Sequence, residues 1–366
     1  MEVRALCLHY SEGDVLRHLE DLEELLKDFT SSADKALRKR GLTKPSMRLA
    51  LPQLSAPHLN DIKDLAKSLQ ELAEKIGLDY VGGLHVNSSG LRDVGKPLLN
   101  AIVENDRVFA SSYLSKLSDI PLIARFIDSL RSYAEVGASV RFVCLMYSRV
   151  ETPYLPAATT LSPTHGISAA ALYASDVKRA KSISRLKPKL LDIAKRIHSL
   201  AREVASSTNL KWAKVDMSLS PWANESVAEA LESLAKCSLE EPGVLSCIKT
   251  LAKVIQRLEK DVALTGFNDV MLSYAEDERL MELGAADSLS ISQLMLYSMA
   301  CAVGIDMLPI PSTLGIKWIK NLLLDMFTIS DIKKKPLGVR LLPTNAKPGD
   351  LVNIWFFKNV PIPKMK

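Results

Sequence analysis

Residues 211–232 read KWAKVDMSLSPWANESVAEALE. The stretch alternates as a strand through Val215 and Asp216, turns at Pro221-Trp222, and then takes up the spacing of an amphipathic helix. A strand that hands its chain to a helix through a short polar turn is half of a βα unit. Repetition of that unit argues a mostly parallel sheet with outer helices, open or closed into a barrel.

The unit recurs along the chain. Strands are expected at 2–9, 47–52, 79–86, 107–114, 140–147, 211–216, 304–311, 337–342 and 350–357. Helices are expected at 12–29, 57–76, 96–105, 121–135, 223–237, 245–260, 276–283, 290–303 and 313–327. Residues 175–207 have helical spacing after a Pro/Thr/Ser-rich loop at 151–165 and are expected as a helical insertion. No Pro- or Gly-rich linker divides the chain, so residues 1–366 are expected to form a single α/β, barrel-like domain.

Composition narrows the function. The chain has 366 residues and is 47% hydrophobic, enough for a large core. Its net charge of +5 comes from 47 basic and 42 acidic residues with no long basic block, and aromatics make up only 6%. Nucleic-acid binding needs a clustered basic face and is not expected. The five cysteines include no C-x-x-C and sit largely in apolar runs, as reduced, buried thiols do. No run reaches the roughly 18 apolar residues of a membrane span, and the N-terminus lacks a signal-peptide pattern, so a cytoplasmic protein is expected. Gln is scarce while Lys, Glu and Arg are plentiful, as in heat-adapted proteins.

Familiar motifs are missing or incomplete. GLRDVGKP at 90–97 is close to a phosphate loop, but Pro97 replaces the magnesium-binding hydroxyl, and a turn leading into a helix is expected instead. The histidines are scattered, with no zinc spacing, and no G-x-S-x-G elbow occurs. Strand ends are more informative, because in parallel α/β folds the loops that form sites converge there. They carry Gly82-Gly83, Ser111-Ser112, Asp216-Met217-Ser218 and Asp306, and AEDER at 275–279 stands beside them. Glu276, Asp277 and Glu278 would equally suit the N-terminal turn of a helix.

IGLDYVGGL, ENDRVFASSY, VDMSLSP, AEDERLM, AVGIDMLPIP and GVRLLPTNAKPGDLVN occur in an order that resembles the domain-of-unknown-function 711 family, from the first strand to the last. The resemblance implies a barrel related to those of pyruvate formate-lyase and anaerobic ribonucleotide reductase. It also implies a small ACT-domain protein as partner and a divergent archaeal or heat-adapted member. Gly82, Gly83, Ser111, Ser112, Asp216, Ser218, the acids 276–278 and Asp306 match the family pattern. Two segments depart from it. Ala158-Thr159-Thr160 stands where the pattern has Phe-His-Gly, and of its glycine-rich approach to the acidic run only Gly266 remains.

These readings combine into an expectation of a small-molecule enzyme or binder with a carboxylate-rich pocket at the strand C-termini. Asp216, Glu276 and Glu278 would act as base and acid, or hold a divalent cation through oxygen ligands. Gly82, Gly83, Ser111, Ser112, Ser218 and Asp306 would bind the substrate. The alternative is a non-catalytic metabolite sensor or assembly protein. Asp216 has its own alternative, as an acceptor that ties down the turn after its strand. No glycyl radical is expected, because Gly338 falls in a strand and Gly349 in a Lys-Pro-Gly-Asp turn. The Met-rich segment 292–303 is apolar almost all round and must be buried in the core or in a homo-oligomer contact.

Overall fold

The computed structural model describes residues 2–55, 59, 61–180, 182–222 and 224–365. Ten strands form one sheet: β1 (Glu2–His9), β2 (Ser46–Ala50), β3 (Tyr80–Asn87), β4 (Val108–Leu114), β5 (Phe142–Met146), β6 (Gly166–Leu172), β7 (Trp212–Asp216), β8 (Met271–Ser273), β9 (Val303–Ile310) and β10 (Leu337–Pro343). A hairpin of β11 (Leu351–Ile354) and β12 (Phe357–Pro361) stands apart from it. The helices are α1 (Leu19–Lys39), α2 (Ile62–Ile76), α3 (Leu91–Glu104), α4 (Ile120–Ser129), α5 (Ala174–Ala180), α6 (Ile183–Ser207), α7 (Val227–Ala235), α8 (Val244–Gln256), α9 (Glu278–Ala285), α10 (Ile291–Ser298) and α11 (Ile316–Lys333).

The strand order is β7-β6-β1-β2-β3-β4-β5-β10-β9-β8. Strands β1 to β5 run parallel to one another. β6 lies antiparallel to β1 and β10 antiparallel to β5, so β6, β7, β8, β9 and β10 form a second parallel set of opposite direction. Beyond β7 the chain pairs with the approach to β8: Leu219 N–H donates to the Asp269 carbonyl and Met271 N–H to that of Leu219, each at 2.9 Å.

Helices cover one face of the sheet. In α1 the buried residues Leu22, Leu26, Phe29, Ala33 and Leu37 keep helical spacing and form one stripe toward the core. The other face is filled by the loop between β5 and β6. There Tyr154 packs with Ala5, Ala170, Met271, Ala302 and Val303, while Leu155 meets Cys7, Ala50 and Ala158. Small residues on that face leave room for the loop. A Cβ on Gly82 would sit 2.5 Å from the Ala158 carbonyl oxygen, so only glycine lets the loop approach β3.

Several expectations need correction. β6 and β8 were not expected: Gly166–Leu172 lies between the loop at 151–165 and the helical stretch at 175–207, where no strand was assigned, and β8 is only three residues long. Residues 175–207 are not an insertion, because α5 and α6 form the crossover between the parallel neighbours β6 and β7. GLRDVGKP is not a turn, because α3 begins at Leu91 and Pro97 lies inside it. The helix expected at 57–76 is present from Ile62; its positions 57, 58 and 60 lie outside the described residues. No described helix is long and apolar enough to cross a membrane.

Candidate functional site

Three arginines stand in largely apolar strands: Arg4 in β1, Arg48 in β2 and Arg340 in β10. Bulges help to aim two of them. The β1 register shifts between Val3 and Ala5, and that of β10 between Val339 and Leu341, opposite Asp306 and a positive-φ Met307. All three line a cavity over which the centre of a water molecule can range through about 90 Å3. Glu276 and Asp306 are the carboxylates in its wall, and Tyr80, Phe109, Tyr154, Trp222 and Phe267 supply aromatic surface. The tip of the β11–β12 hairpin, Trp355-Phe356-Phe357, closes over it, with the Trp355 ring 5.8 Å from that of Tyr80.

The charges are knitted together. Arg340 grips Asp306 with two hydrogen bonds, Nε to Oδ1 at 2.7 Å and Nη2 to Oδ2 at 2.8 Å. Its Nη2 also donates to Glu276 Oε1 at 3.1 Å. Arg4 Nη2 donates to Glu276 Oε2 at 2.9 Å, and Nη1 to Ser220 Oγ at 3.1 Å and to the Pro221 carbonyl. Arg4 also lies over the rings of Tyr154 and Trp222. Arg48 is different. Nε donates to Ser46 Oγ at 3.0 Å and Nη1 to the Pro153 carbonyl at 2.7 Å, but no carboxylate pairs with it among the described residues. Burial, and then the charge of Arg4, lower its pKa.

The residues singled out in the sequence divide into three groups. Glu276 and Asp306 line the cavity. Gly82, Gly83, Ser111 and Ser112 do not. Gly83 faces Leu69 of α2, and Ser111 Oγ pairs with His85 Nδ1 at 2.8 Å. Asp216 and Ser218 form a fastening under the loop. Asp216 Oδ2 accepts from Thr152 Oγ1 at 2.6 Å and Phe267 N–H at 3.1 Å. Its Oδ1 accepts from Ser218 Oγ at 2.6 Å, Ser218 N–H at 3.0 Å and Asn268 N–H at 3.2 Å. Gly266 gives it room, since a Cβ there would sit 1.9 Å from Oδ2. Burial raises the Asp216 pKa while the Ser218 and Thr152 hydroxyls pull it down.

The acidic run divides as well. Asp277 caps two helices. It accepts from Ser226 Oγ and the Val227 and Ala228 N–H groups at the start of α7, and from the Arg279 and Leu280 N–H groups at the start of α9. Glu278 is exposed on the first turn of α9. A divalent cation bridging Asp216 and this run does not fit: Asp216 is saturated, Asp277 is spent on caps, and Glu276 is held by two arginines. No group of three or more potential metal ligands converges among the described residues. Four of the five cysteines are buried, and burial pushes Cys7 and Cys301 up to about 12, so their thiols stay protonated.

A family profile described as "Uncharacterised ACR (DUF711)" matches residues 5–355. The chain belongs to the DUF711 family. A UPF0210 protein of Pyrobaculum arsenaticum is 25% identical, with 93% of this chain and 82% of that protein aligned. One from Methanopyrus kandleri is 24% identical over 92% and 80% of the two chains. One from Streptococcus sanguinis is 24% identical over 89% and 80%. The DUF711 match covers β2 to β10 in full and β1 from Ala5 onward. The arginines were the residues sequence reasoning missed. Their signal was present, because an isolated Arg in a buried strand requires a partner.

Proposed function

We propose that this DUF711 protein binds a small metabolite in the arginine-lined cavity, within a sheet that closes on itself as a barrel. The pairing of Leu219 with Val270 beyond the edge strands supports closure, in keeping with the pyruvate formate-lyase-like barrel that the resemblance implies. The observation that carries the binding reading is the cavity itself: three guanidinium groups on its wall, of which, among the described residues, Arg48 pairs with no carboxylate and Arg4 keeps a buried Nε without a partner, enclosed by aromatic side chains. Binding without catalysis is the better-supported form. Glu276 and Asp306, the carboxylates on the wall, have lone pairs committed to arginines and are poor candidates for a general base. A cytoplasmic homodimer, with an ACT-domain protein as partner by family analogy, completes the proposal.

A metabolite-library thermal-shift screen, with and without divalent ions, tests it. Ala157 lies on the cavity wall, and Ala157→Leu would fill the space at a cost of about 1–3 kcal/mol. Compounds that raise the melting temperature of the wild type are expected to lose their effect on Ala157→Leu. Ligands that stabilise both equally would place the site elsewhere.

A further inference from the structure

The inference rests on the cavity being the ligand site and concerns what enters it. Arg48 is 8% exposed, yet its Nη2 has no hydrogen-bond partner among the described residues. Arg4 Nε and Ser273 Oγ, both on cavity-lining residues, are fully buried and have no partner among the described residues. A buried charge is costly unless something pairs with it. Arg141 shows the purely structural solution. It too is buried without a carboxylate, but Nε, Nη1 and Nη2 all donate to the Ile102 and Val136 carbonyls. Arg48 is left with donors to spare, and they belong to a cavity-lining side chain.

Charge and shape then limit the occupant. Three guanidinium groups face two carboxylates around the cavity, leaving one positive charge unbalanced. The planar guanidinium fork matches a carboxylate. Sheet register places Tyr80 directly beside Arg48. The Tyr80 ring lies 5.3 Å from that of Phe109, and the Trp355 ring lies within 6.2 Å of both. Rings at these distances touch one another at tilted or edge-to-face angles and join into one apolar wall of the cavity, which suits an apolar ring rather than a sugar or an inorganic ion. We infer that the cavity takes an aromatic monocarboxylate, with its carboxylate on Arg48 and its ring against Tyr80, Phe109 and Trp355.

Calorimetric titration of the full chain with benzoate, indole-3-carboxylate, benzamide, phthalate and inorganic phosphate tests this, using wild type, Arg48→Met and Arg48→Lys. Saturable binding of the two monocarboxylates is expected. Benzamide, the neutral analogue of benzoate, should bind roughly tenfold more weakly, and phthalate and phosphate should also be weaker. Arg48→Met should lose roughly 10- to 100-fold in benzoate affinity while leaving benzamide affinity unchanged. Arg48→Lys keeps the charge but not the planar fork and should bind benzoate more tightly than Arg48→Met and more weakly than the wild type, with its preference for benzoate over benzamide retained. If Arg48→Met does not fold, Arg48→Lys and the benzoate–benzamide comparison in the wild type decide. Equal affinity for benzoate and benzamide, or preference for phosphate, overturns the inference but leaves the cavity as a binding site. If neither these probes nor any library compound binds, both readings fall.

Discussion

Asp216 joins three segments: the end of β7, the buried loop at Thr152, and the turn at Phe267-Asn268. An asparagine there keeps the shape but replaces one acceptor oxygen with a donor. If that amide group faces Phe267, two N–H groups oppose each other. If it faces Ser218, a hydroxyl and two backbone N–H groups lose their acceptor. Asp216→Asn is therefore expected to cost about 2–3 kcal/mol in urea unfolding while leaving ligand binding intact. Loss of binding with unchanged stability would return Asp216 to the pocket. The sequence placed Asp216 and Ser218 on one side of the chain, and they do meet. It could not tell a fastening carboxylate from a reactive one, because the deciding partner, Thr152, lies 64 residues away. The same limit hid the cavity. Arg4, Glu276, Arg340 and Asp306 become neighbours only once β1 and the second set of strands are in place.

Elements with strong periodicity were legible and short ones were not. α1 and α2 carry long apolar stripes, and the strands around Leu49, Val81 and Cys144 are apolar runs with clear ends. β6 reads GISAAAL, whose alanines favour a helix; its place is decided by pairing with β1, where small side chains make room for the inner loop. β8 has too few residues to show a period. The Met-rich segment at 292–303 is half legible. Leu294 and Tyr297 of α10 are buried, but Leu296 and Met299 are 45% and 40% exposed. Ile332, near the end of the neighbouring α11, is 62% exposed. An apolar outer face of this kind suits a subunit contact. Light scattering at micromolar concentration should give twice the monomer mass, and Leu296→Glu with Met299→Lys should restore the monomer. A wild-type monomer would count against the dimer.

Across the whole molecule, buried imidazoles couple stability to pH. Burial lowers the His85 pKa to about 4, and burial likewise lowers that of His9 against the raising influence of Glu151. In the unfolded chain each returns to about 6.5. Between these values the unfolded state binds protons that the native state refuses. The stabilising contribution is therefore complete above about pH 6.5 and is lost as pH falls toward about 4. Each imidazole contributes a slope of up to about 1.4 kcal/mol per pH unit in that window. The buried carboxylates Asp216 and Asp277 act with the opposite sign, because burial raises their pKa values and their protonation favours the native state in acid. The total slope thus mixes the two classes, and a substitution separates them. His85→Gln keeps a polar side chain near Ser111 but cannot titrate. Urea unfolding measured from pH 7.5 to 5 should show a shallower loss of stability in His85→Gln than in the wild type, by up to about 1.4 kcal/mol per pH unit. Parallel curves for the two proteins would mean that His85 takes up its proton as readily in the fold as in the unfolded chain, despite its contact with Ser111 Oγ, 2.8 Å from Nδ1.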